Sequence, residues 1–257
     1  STKRWGSAAS PLLYKGMLIV NGSDESETLF AFNKMTGEEM WKTSAAGLAL
    51  TYGSPSIMSV DGRDDLILSV PGELWGMNPS TGKLRWLART PVDANSSPSA
   101  VVHEGVIYAV GGRQGGSIAV RGGGKGDVSE SHVVWRGRES SYVATPIVTG
   151  GHMYWVDDRG IAVCVNAASG KQVYRERLPI TDGGRAAYAS PILAGKHLLA
   201  VTRRSGTFVL APTPEFQQLA QNSFASDDSD FNASPAIANG QIFLRSQRFL
   251  YCVQQPQ

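Results

Sequence analysis

The side chains best suited to binding chemistry in this sequence are arginines, tyrosines and asparagines that recur at intervals along the chain. They are Tyr52, Asn95, Arg113, Tyr142, Arg159, Arg185, Tyr188, Arg203, Arg204, Asn232 and Arg248. A guanidinium presents a planar fork of donors that matches a carboxylate or a phosphate, and tyrosine supplies rigid aromatic area at interfaces. The set predicts a surface for a protein or for an anionic or polymeric ligand. The alternative is structural: such residues also fill loops, satisfy backbone groups or lie in solvated turns.

Residues that could perform catalysis or hold a metal form no recognised motif. His103, His152 and His197 occupy turns in three different repeats, and no Gly-x-Ser-x-Gly nucleophile elbow is present. Cys164 and Cys252 are far apart and occupy the same repeat position, which predicts two buried small residues rather than a disulfide. We therefore predict no catalytic residue and no metal site.

Clusters of acidic residues are the remaining candidates for calcium ligands. They are Asp24-Glu25, Asp64-Asp65, Asp157-Asp158 and Asp227-Asp228-Ser-Asp230. Calcium needs several converging oxygen ligands, and none of these clusters matches a calcium loop. We interpret them as solvated turn residues, which aspartate favours.

The elements that position these residues follow from an internal repeat. Six Ser/Thr-Pro pairs lie 44, 43, 48, 45 and 44 residues apart. They are Ser10-Pro11, Ser54-Pro55, Ser97-Pro98, Thr145-Pro146, Ser190-Pro191 and Ser234-Pro235. Each pair precedes two short apolar stretches that are separated by a turn, and then a third and a fourth stretch. Four short strands in each repeat of about 45 residues predict propeller blades.

The repeat predicts an all-β fold: a single β-propeller domain over residues 1–257, with about six four-stranded antiparallel blades starting near residues 10, 54, 97, 145, 190 and 234. Lys3-Arg4-Trp5 resembles a fourth strand that the last repeat lacks, so we expect the N-terminal strand to close the ring and remove two sheet edges. The alternative is a fragment of an eight-bladed ring. Residues 122–131 interrupt the third repeat and predict a flexible hairpin loop, and residues 215–221 are faintly helical in pattern.

Blade geometry then gathers the candidate residues on one face. In an antiparallel blade the loop that enters the first strand and the loop that joins the second to the third lie at the same end. The entering loops hold Tyr52, Asn95, Tyr142, Tyr188 and Asn232, with Arg185 nearby. The second-to-third loops hold Arg113, Arg159, Arg203, Arg204 and Arg248. The other end carries mainly Thr-Gly turns, in which Gly37, Gly82 and Gly170 are expected to have positive φ.

Three features of the chain resemble the PQQ-like β-propeller repeat, and the resemblance covers nearly all of the chain. They are the Ser-Pro pairs, the Leu29-Phe-Ala-Phe-Asn33 type of strand, and the Thr-Gly turn before Trp41 or Trp86. The resemblance implies one of two branches. One consists of quinoprotein dehydrogenases with pyrroloquinoline quinone (PQQ) and calcium, marked by adjacent cysteines that this chain lacks. The other consists of non-catalytic propellers of the outer-membrane assembly lipoprotein type. We predict an exported, periplasmic or secreted binding or scaffold module without a cofactor; the alternative is a PQQ-binding, quinoprotein-like oxidoreductase.

Bulk composition agrees with a folded domain and limits its partners. Hydrophobic residues make up 42% of the chain and charged residues 18%, which is a globular composition. The net charge of +2 predicts no nucleic-acid partner. No apolar run approaches the ~20 residues of a spanning helix, and we expect a monomer.

Overall fold

The computed structural model describes residues 6–93, 95–112, 115–181 and 184–254, and strands dominate them. Within these ranges the only helical elements are α1 (Ser23–Ser26) and a short 3-10 helix at Ala46–Leu48. The chain divides into two compact units, Ser1–Tyr142 and Val143–Gln257. The interpretation of residues 1–257 as a single domain stays a prediction.

The first unit contains three sheets. The strands of the first sheet are β1 (Leu12–Tyr14), β2 (Met17–Gly22), β3 (Thr28–Asn33) and β4 (Glu39–Ser44). Those of the second are β5 (Ser56–Val60), β6 (Arg63–Val70), β7 (Glu73–Met77) and β8 (Leu84–Arg89). The third repeat supplies β9 (Val101–His103), β10 (Val106–Gly111), β11 (Gly116–Arg121), β12 (Gly126–Asp127) and β13 (Val133–Gly137). All but β12 form the third sheet, and β12 is the fifth strand of the second sheet, next to β8.

The second unit also contains three sheets. The fourth sheet has β14 (Ile147–Thr149), β15 (His152–Val156), β16 (Ile161–Asn166) and β17 (Gln172–Arg177). The fifth has β18 (Ile192–Ala194), β19 (His197–Val201), β20 (Thr207–Leu210) and β21 (Gln218–Asn222). The sixth has β22 (Ala236–Ala238), β23 (Gln241–Arg245) and β24 (Leu250–Val253).

Apart from β12, the strands of each repeat form an antiparallel meander whose first strand begins just after a Ser/Thr-Pro pair, which confirms the predicted six repeats. A small residue on the third strand faces an aromatic residue on the fourth, as in Ala31 opposite Trp41 and Cys164 opposite Tyr174. At Gly76 a Cβ atom would lie 1.9 Å from a ring carbon of Trp86. The glycine therefore leaves the space that the indole occupies.

The Ser/Thr-Pro pairs join successive repeats inside each unit. In the first unit the Ser10 amide donates to Ser54 Oγ at 2.7 Å, and the Ser54 amide donates to Ser99 Oγ at 2.9 Å. In the second unit Thr145 and Ser190 donate in the same way to hydroxyls one repeat further along, Ser190 and Ser234. Ser54, Ser190 and Ser234 are the serines of Ser-Pro pairs, whereas Ser99 directly follows the pair Ser97-Pro98. In each case the hydroxyl satisfies a backbone donor of the preceding blade.

The Thr-Gly turns have the conformation that the sequence predicts. Gly37, Gly82 and Gly170 have φ of 76°, 66° and 67°. In the first unit Trp41 Nε1 donates to the carbonyl of Pro79 at 3.0 Å, so that the aromatic residue of one blade rests on the turn of the next.

The acidic clusters correct the sequence interpretation, because each contains one buried aspartate: Asp24, Asp65, Asp157 and Asp230. Asp65 accepts hydrogen bonds from Arg85 and Trp86 Nε1 and pairs with Arg63 at 2.9 Å. Buried charge persists only where partners of this kind compensate its desolvation. The prediction of solvated turns is therefore wrong for these four residues.

Four further expectations have separate outcomes. The insertion at 122–131 is not only a hairpin loop, since β12 pairs in parallel with β8 and covers the edge of the second sheet. The faintly helical segment 215–221 overlaps β21, a strand. Cys164 is buried as predicted, but Cys252 is exposed, because within the described residues β24 has a partner strand on one side only. Lys3-Arg4-Trp5 lies outside the described residues, so ring closure stays a prediction.

Candidate functional site

A ladder of main-chain hydrogen bonds joins the loops at one end of the strands in the second unit. The Ala186 amide donates to the Asp158 carbonyl at 2.7 Å, and the Arg203 amide donates to the Ala186 carbonyl at 2.8 Å. The Phe231 amide then donates to the Arg203 carbonyl at 2.9 Å. These three bonds join four loops, two that enter a first strand and two that connect a second strand to a third. Because backbone atoms hold the loops together, the side chains that they carry have fixed relative positions.

Arg203 lies at the centre of this surface. Its Nε donates to Asn232 Oδ1 at 2.9 Å, and its Nη2 donates to Asp230. Its guanidinium carbon stands 5.3 Å from the centroid of the Tyr188 ring, within cation–π range. Arg185 Nη1 lies 3.1 Å from the Tyr188 hydroxyl, to which it donates. The sheet geometry thus brings together residues that are up to 47 positions apart in sequence.

Asp230 organises the arginines, and the sequence analysis did not select it. Its buried carboxylate accepts from Arg203 and, at 2.6 Å, from Nε of Arg204. The Arg204 side chain is 62% exposed and that of Arg203 is 29% exposed. The signal that could have identified Asp230 is its place two residues before Asn232, in the loop that packs on Arg203.

Two more predicted arginines lie on neighbouring loops of the same surface. Arg159 donates through Nε and Nη2 to Asp157 Oδ2, at 3.2 and 2.9 Å. Arg248 pairs with Asp228 at 2.9 Å, and the adjacent Gln247 amide donates to the Asp230 carbonyl. We name the residues Arg185, Tyr188, Arg203, Arg204, Asp230 and Asn232 the arginine cluster, with Arg159 and Arg248 at its margins.

The four remaining predicted residues lie outside the described part of the second unit. Tyr52 and Tyr142 belong to the first unit, where the Tyr52 hydroxyl donates to Asp24 Oδ1 at 3.2 Å. Burial, with smaller effects from the charges of Asp24 and Tyr142, raises the pKa of Tyr52. Asn95 has a left-handed backbone with φ of 69°, which favours a turn role. Arg113 lies outside the described residues.

The electrostatics of the cluster favour a fixed ionised carboxylate. The hydrogen bond from Arg204, with the charge of Arg203, lowers the pKa of Asp230. Asp227, on the same loop, has a pKa well below its usual range because Ser229 and Ser246 donate to it. Both aspartates are therefore ionised at neutral pH, and the surface combines anchored guanidinium groups with built-in counter-charges.

The alternative with PQQ and calcium needs several oxygen ligands that converge on the metal. Among the described residues no group of three or more His, Cys, Asp or Glu side chains is placed to hold a metal ion. Asp157 and Asp230 are each engaged by arginine, and the two cysteines are not neighbours. The alternative with PQQ and calcium stays a prediction, which reconstitution with both followed by a quinone absorbance spectrum would test.

The fold is that of a β-propeller, as comparison with solved structures shows. BamB from Moraxella catarrhalis superposes with a TM-score of 0.72 and 13% identity, over 95% of this chain and 71% of that one. The quinohemoprotein alcohol dehydrogenase from Comamonas testosteroni gives a TM-score of 0.64 at 13% identity, over 93% of this chain and 51% of that one. The corresponding enzyme ADHIIG from Pseudomonas putida HK5 gives 0.61 at 14% identity, over 94% and 51%. This chain thus spans about half the length of the two dehydrogenases, and these low identities show the fold alone.

Sequence comparison identifies the family. The family model described as outer membrane protein assembly factor BamB matches residues 2–176, about two thirds of the chain, and the chain belongs to this family. The comparison with curated proteins found no match. No helix within the described residues is long and apolar enough to cross a membrane.

Proposed function

We propose that this protein is a non-catalytic binding or scaffold module that takes a carboxylate-bearing protein partner on the arginine cluster. The observation that carries the proposal is the placement of Arg203 and Arg204 on one buried carboxylate, Asp230, at the edge of a hydrogen-bonded loop ladder. A side chain that is already held in place loses less conformational entropy when it binds.

Arg203 keeps N–H donors for a ligand. A guanidinium carries five N–H donors, and the contacts of Arg203 with Asp230 and Asn232 use only Nε and Nη2. Arg204 and Arg248 are more than half exposed, at 62% and 57%. Guanidinium groups bind planar carboxylates well because their forked geometry matches two oxygens at once.

Family membership supports an exported location and a protein partner. The family description names a factor in outer membrane protein assembly, and the Moraxella catarrhalis relative is such a BamB protein. For this chain we propose a periplasmic or secreted location on that basis. Cell fractionation of the full-length protein tests the location independently of binding.

The test of the surface uses a short fluorescein-labelled glutamate-rich peptide and a matched glutamine-rich peptide. Arg204→Ala should weaken binding of the glutamate peptide by about tenfold, since charge-assisted hydrogen bonds contribute about 1.5–3 kcal/mol before screening. The control is the double variant that combines Lys171→Ala with Lys196→Ala. Both lysines are exposed in turns at the opposite end of the strands in the same unit, so the variant removes two charges there. It should leave the affinity unchanged.

Two outcomes would contradict the proposal. One is an equal loss in the lysine control, because binding would then follow net charge alone. The other is equal affinity for the glutamine peptide, because a carboxylate would then not be what the arginines recognise. A melting temperature measured for each variant separates loss of binding from loss of folding.

A further inference from the structure

Phe249 is an exposed aromatic residue beside the arginine cluster that the proposed function does not use. It occupies the tip of the hairpin between β23 and β24, and 52% of it is exposed. Phenylalanine and arginine are both enriched at protein interfaces relative to the rest of the protein surface. The contacts of its hairpin and its ring determine how firmly Phe249 is held at this position.

The hairpin that carries Phe249 is held rigidly. Ser246 Oγ accepts from the Arg248 amide at 3.1 Å and from the Phe249 amide at 3.0 Å. The Ser246 amide donates back to the Phe249 carbonyl at 2.9 Å. Since Ser246 is buried, these bonds are shielded from water and fix the backbone of the tip.

A platform of aromatic rings supports the Phe249 side chain. Its ring centroid lies 5.8 Å from that of Tyr251, which in turn stacks on Phe224 at 3.8 Å with an interplanar angle of 13°. Phe224 stacks on Phe231 at 6.0 Å, and the Tyr251 hydroxyl donates to Asp227 at 2.8 Å. Phe249 is the most exposed member of this series, so it presents apolar area from a prearranged base.

One residue joins the platform to the arginine cluster. The carbonyl of Asp230 accepts from the Gln247 amide in the hairpin at 3.0 Å, while its carboxylate holds Arg203 and Arg204. Phe231, next in sequence, is the last ring of the platform. The apolar and the cationic surfaces are therefore neighbours on one framework within the second unit.

We propose that Phe249 is the apolar anchor of the binding surface, so that the partner is a protein segment with apolar side chains close to its carboxylates. This inference rests on the proposed function, because the arginine cluster supplies the charge complementarity that selects an acidic segment. A purely polar anionic polymer would gain nothing from Phe249. The chemical class of the partner is thus an amphipathic acidic segment of another protein.

The experiment compares two labelled peptides by fluorescence anisotropy. One alternates glutamate with leucine, and in the other every leucine is replaced by serine. The wild-type protein should bind the leucine peptide at least about fivefold more tightly, the change typical of truncating one significant interface residue. Phe249→Ala should abolish this preference and leave the affinity for the serine peptide unchanged, whereas Phe249→Tyr should restore the preference. Leu219→Ala is the control, since Leu219 is similarly exposed at 50% on β21 of the same unit.

The outcomes separate the two proposals. A wild-type protein without preference, or a preference that survives Phe249→Ala, overturns the anchor. If Phe249→Ala removes the preference but Arg204→Ala leaves the affinity for both peptides unchanged, the anchor is supported and the arginine cluster is contradicted. If Phe249→Ala lowers the melting temperature, Phe249→Tyr is the variant that tests the anchor, because it keeps the ring contact with Tyr251. If this variant does not prefer the leucine peptide, the result counts against the anchor.

Discussion

Replacing Asp65 by asparagine should destabilise the first unit more than any other single removal of a charge there. The carboxylate is fully buried and accepts from three donors: Arg63, Arg85 and Trp86 Nε1. Asparagine offers one acceptor oxygen in place of two and turns an amide N–H toward these donors. The substitution leaves two arginines without their counter-ion and at least one buried donor without an acceptor.

The free energy of unfolding should fall by about 3 kcal/mol, which is at the lower end of the range for breaking a buried ion pair. The lower end applies because the Arg63 and Arg85 side chains are 38% and 25% exposed, so that water partly solvates them after the change. In a chain of this size the melting temperature should fall by at least about 6 °C. Urea titration followed by tryptophan fluorescence measures the free energy, with Trp86 as a local reporter.

The neighbouring Asp64 provides the matched control. It accepts from the Tyr14 and Ser59 hydroxyls and pairs with Lys15 at 2.9 Å. The lysine side chain is 69% exposed, so water and salt screen the charge interaction. Asp64→Asn should therefore lower the free energy of unfolding clearly less than Asp65→Asn does. Its effect should become smaller still in high salt. A loss in Asp65→Asn that is no larger than that in Asp64→Asn would refute the view that Asp65 is a buried structural charge.

Three further predictions concern packing, thiol reactivity and pH. Gly76→Ala should lower the free energy of unfolding, measured by urea denaturation, by about 2 kcal/mol or more, because its Cβ would lie 1.9 Å from a Trp86 ring carbon. A loss under about 0.5 kcal/mol would fall within the range of surface substitutions and contradict this prediction. Burial raises the pKa of Cys164 to about 12, so a thiol reagent at neutral pH should modify the exposed Cys252 rapidly and Cys164 only after unfolding; two equally fast thiols would disprove it. Ser59, Lys15 and Tyr14 lower the pKa of Asp64, and Ser229 and Ser246 lower that of Asp227, from an ordinary value of 3.8. A carboxyl whose pKa is lower in the folded state than in the unfolded state stabilises the fold above pH 3.8, and this stabilisation is lost as the pH falls further. The melting temperature should therefore drop below pH 3.8. Asp227→Asn should make the plot of melting temperature against pH flatter in this range.

The sequence determines the repeat, its strands and the chemistry of its turns, because these depend on residues close together in the chain. The Ser/Thr-Pro pairs mark where each sheet begins, and the Thr-Gly turns specify positive φ at Gly37, Gly82 and Gly170. Blade geometry also predicts that Tyr188, Arg203 and Asn232 share one end of the strands. The contacts among them agree with that expectation.

Only the tertiary structure decides which member of each acidic cluster is buried. Asp64 and Asp65 are adjacent on one strand, so their side chains point to opposite faces of the sheet. Which face is covered depends on other strands and on the insertion, whose Gly124 carbonyl accepts from Arg63. The same reason explains the cysteines: Cys164 and Cys252 occupy equivalent repeat positions, but β16 has a strand on both sides and β24 has one within the described residues. Burial is a property of the neighbours in space, and the neighbours of these residues come from distant parts of the chain.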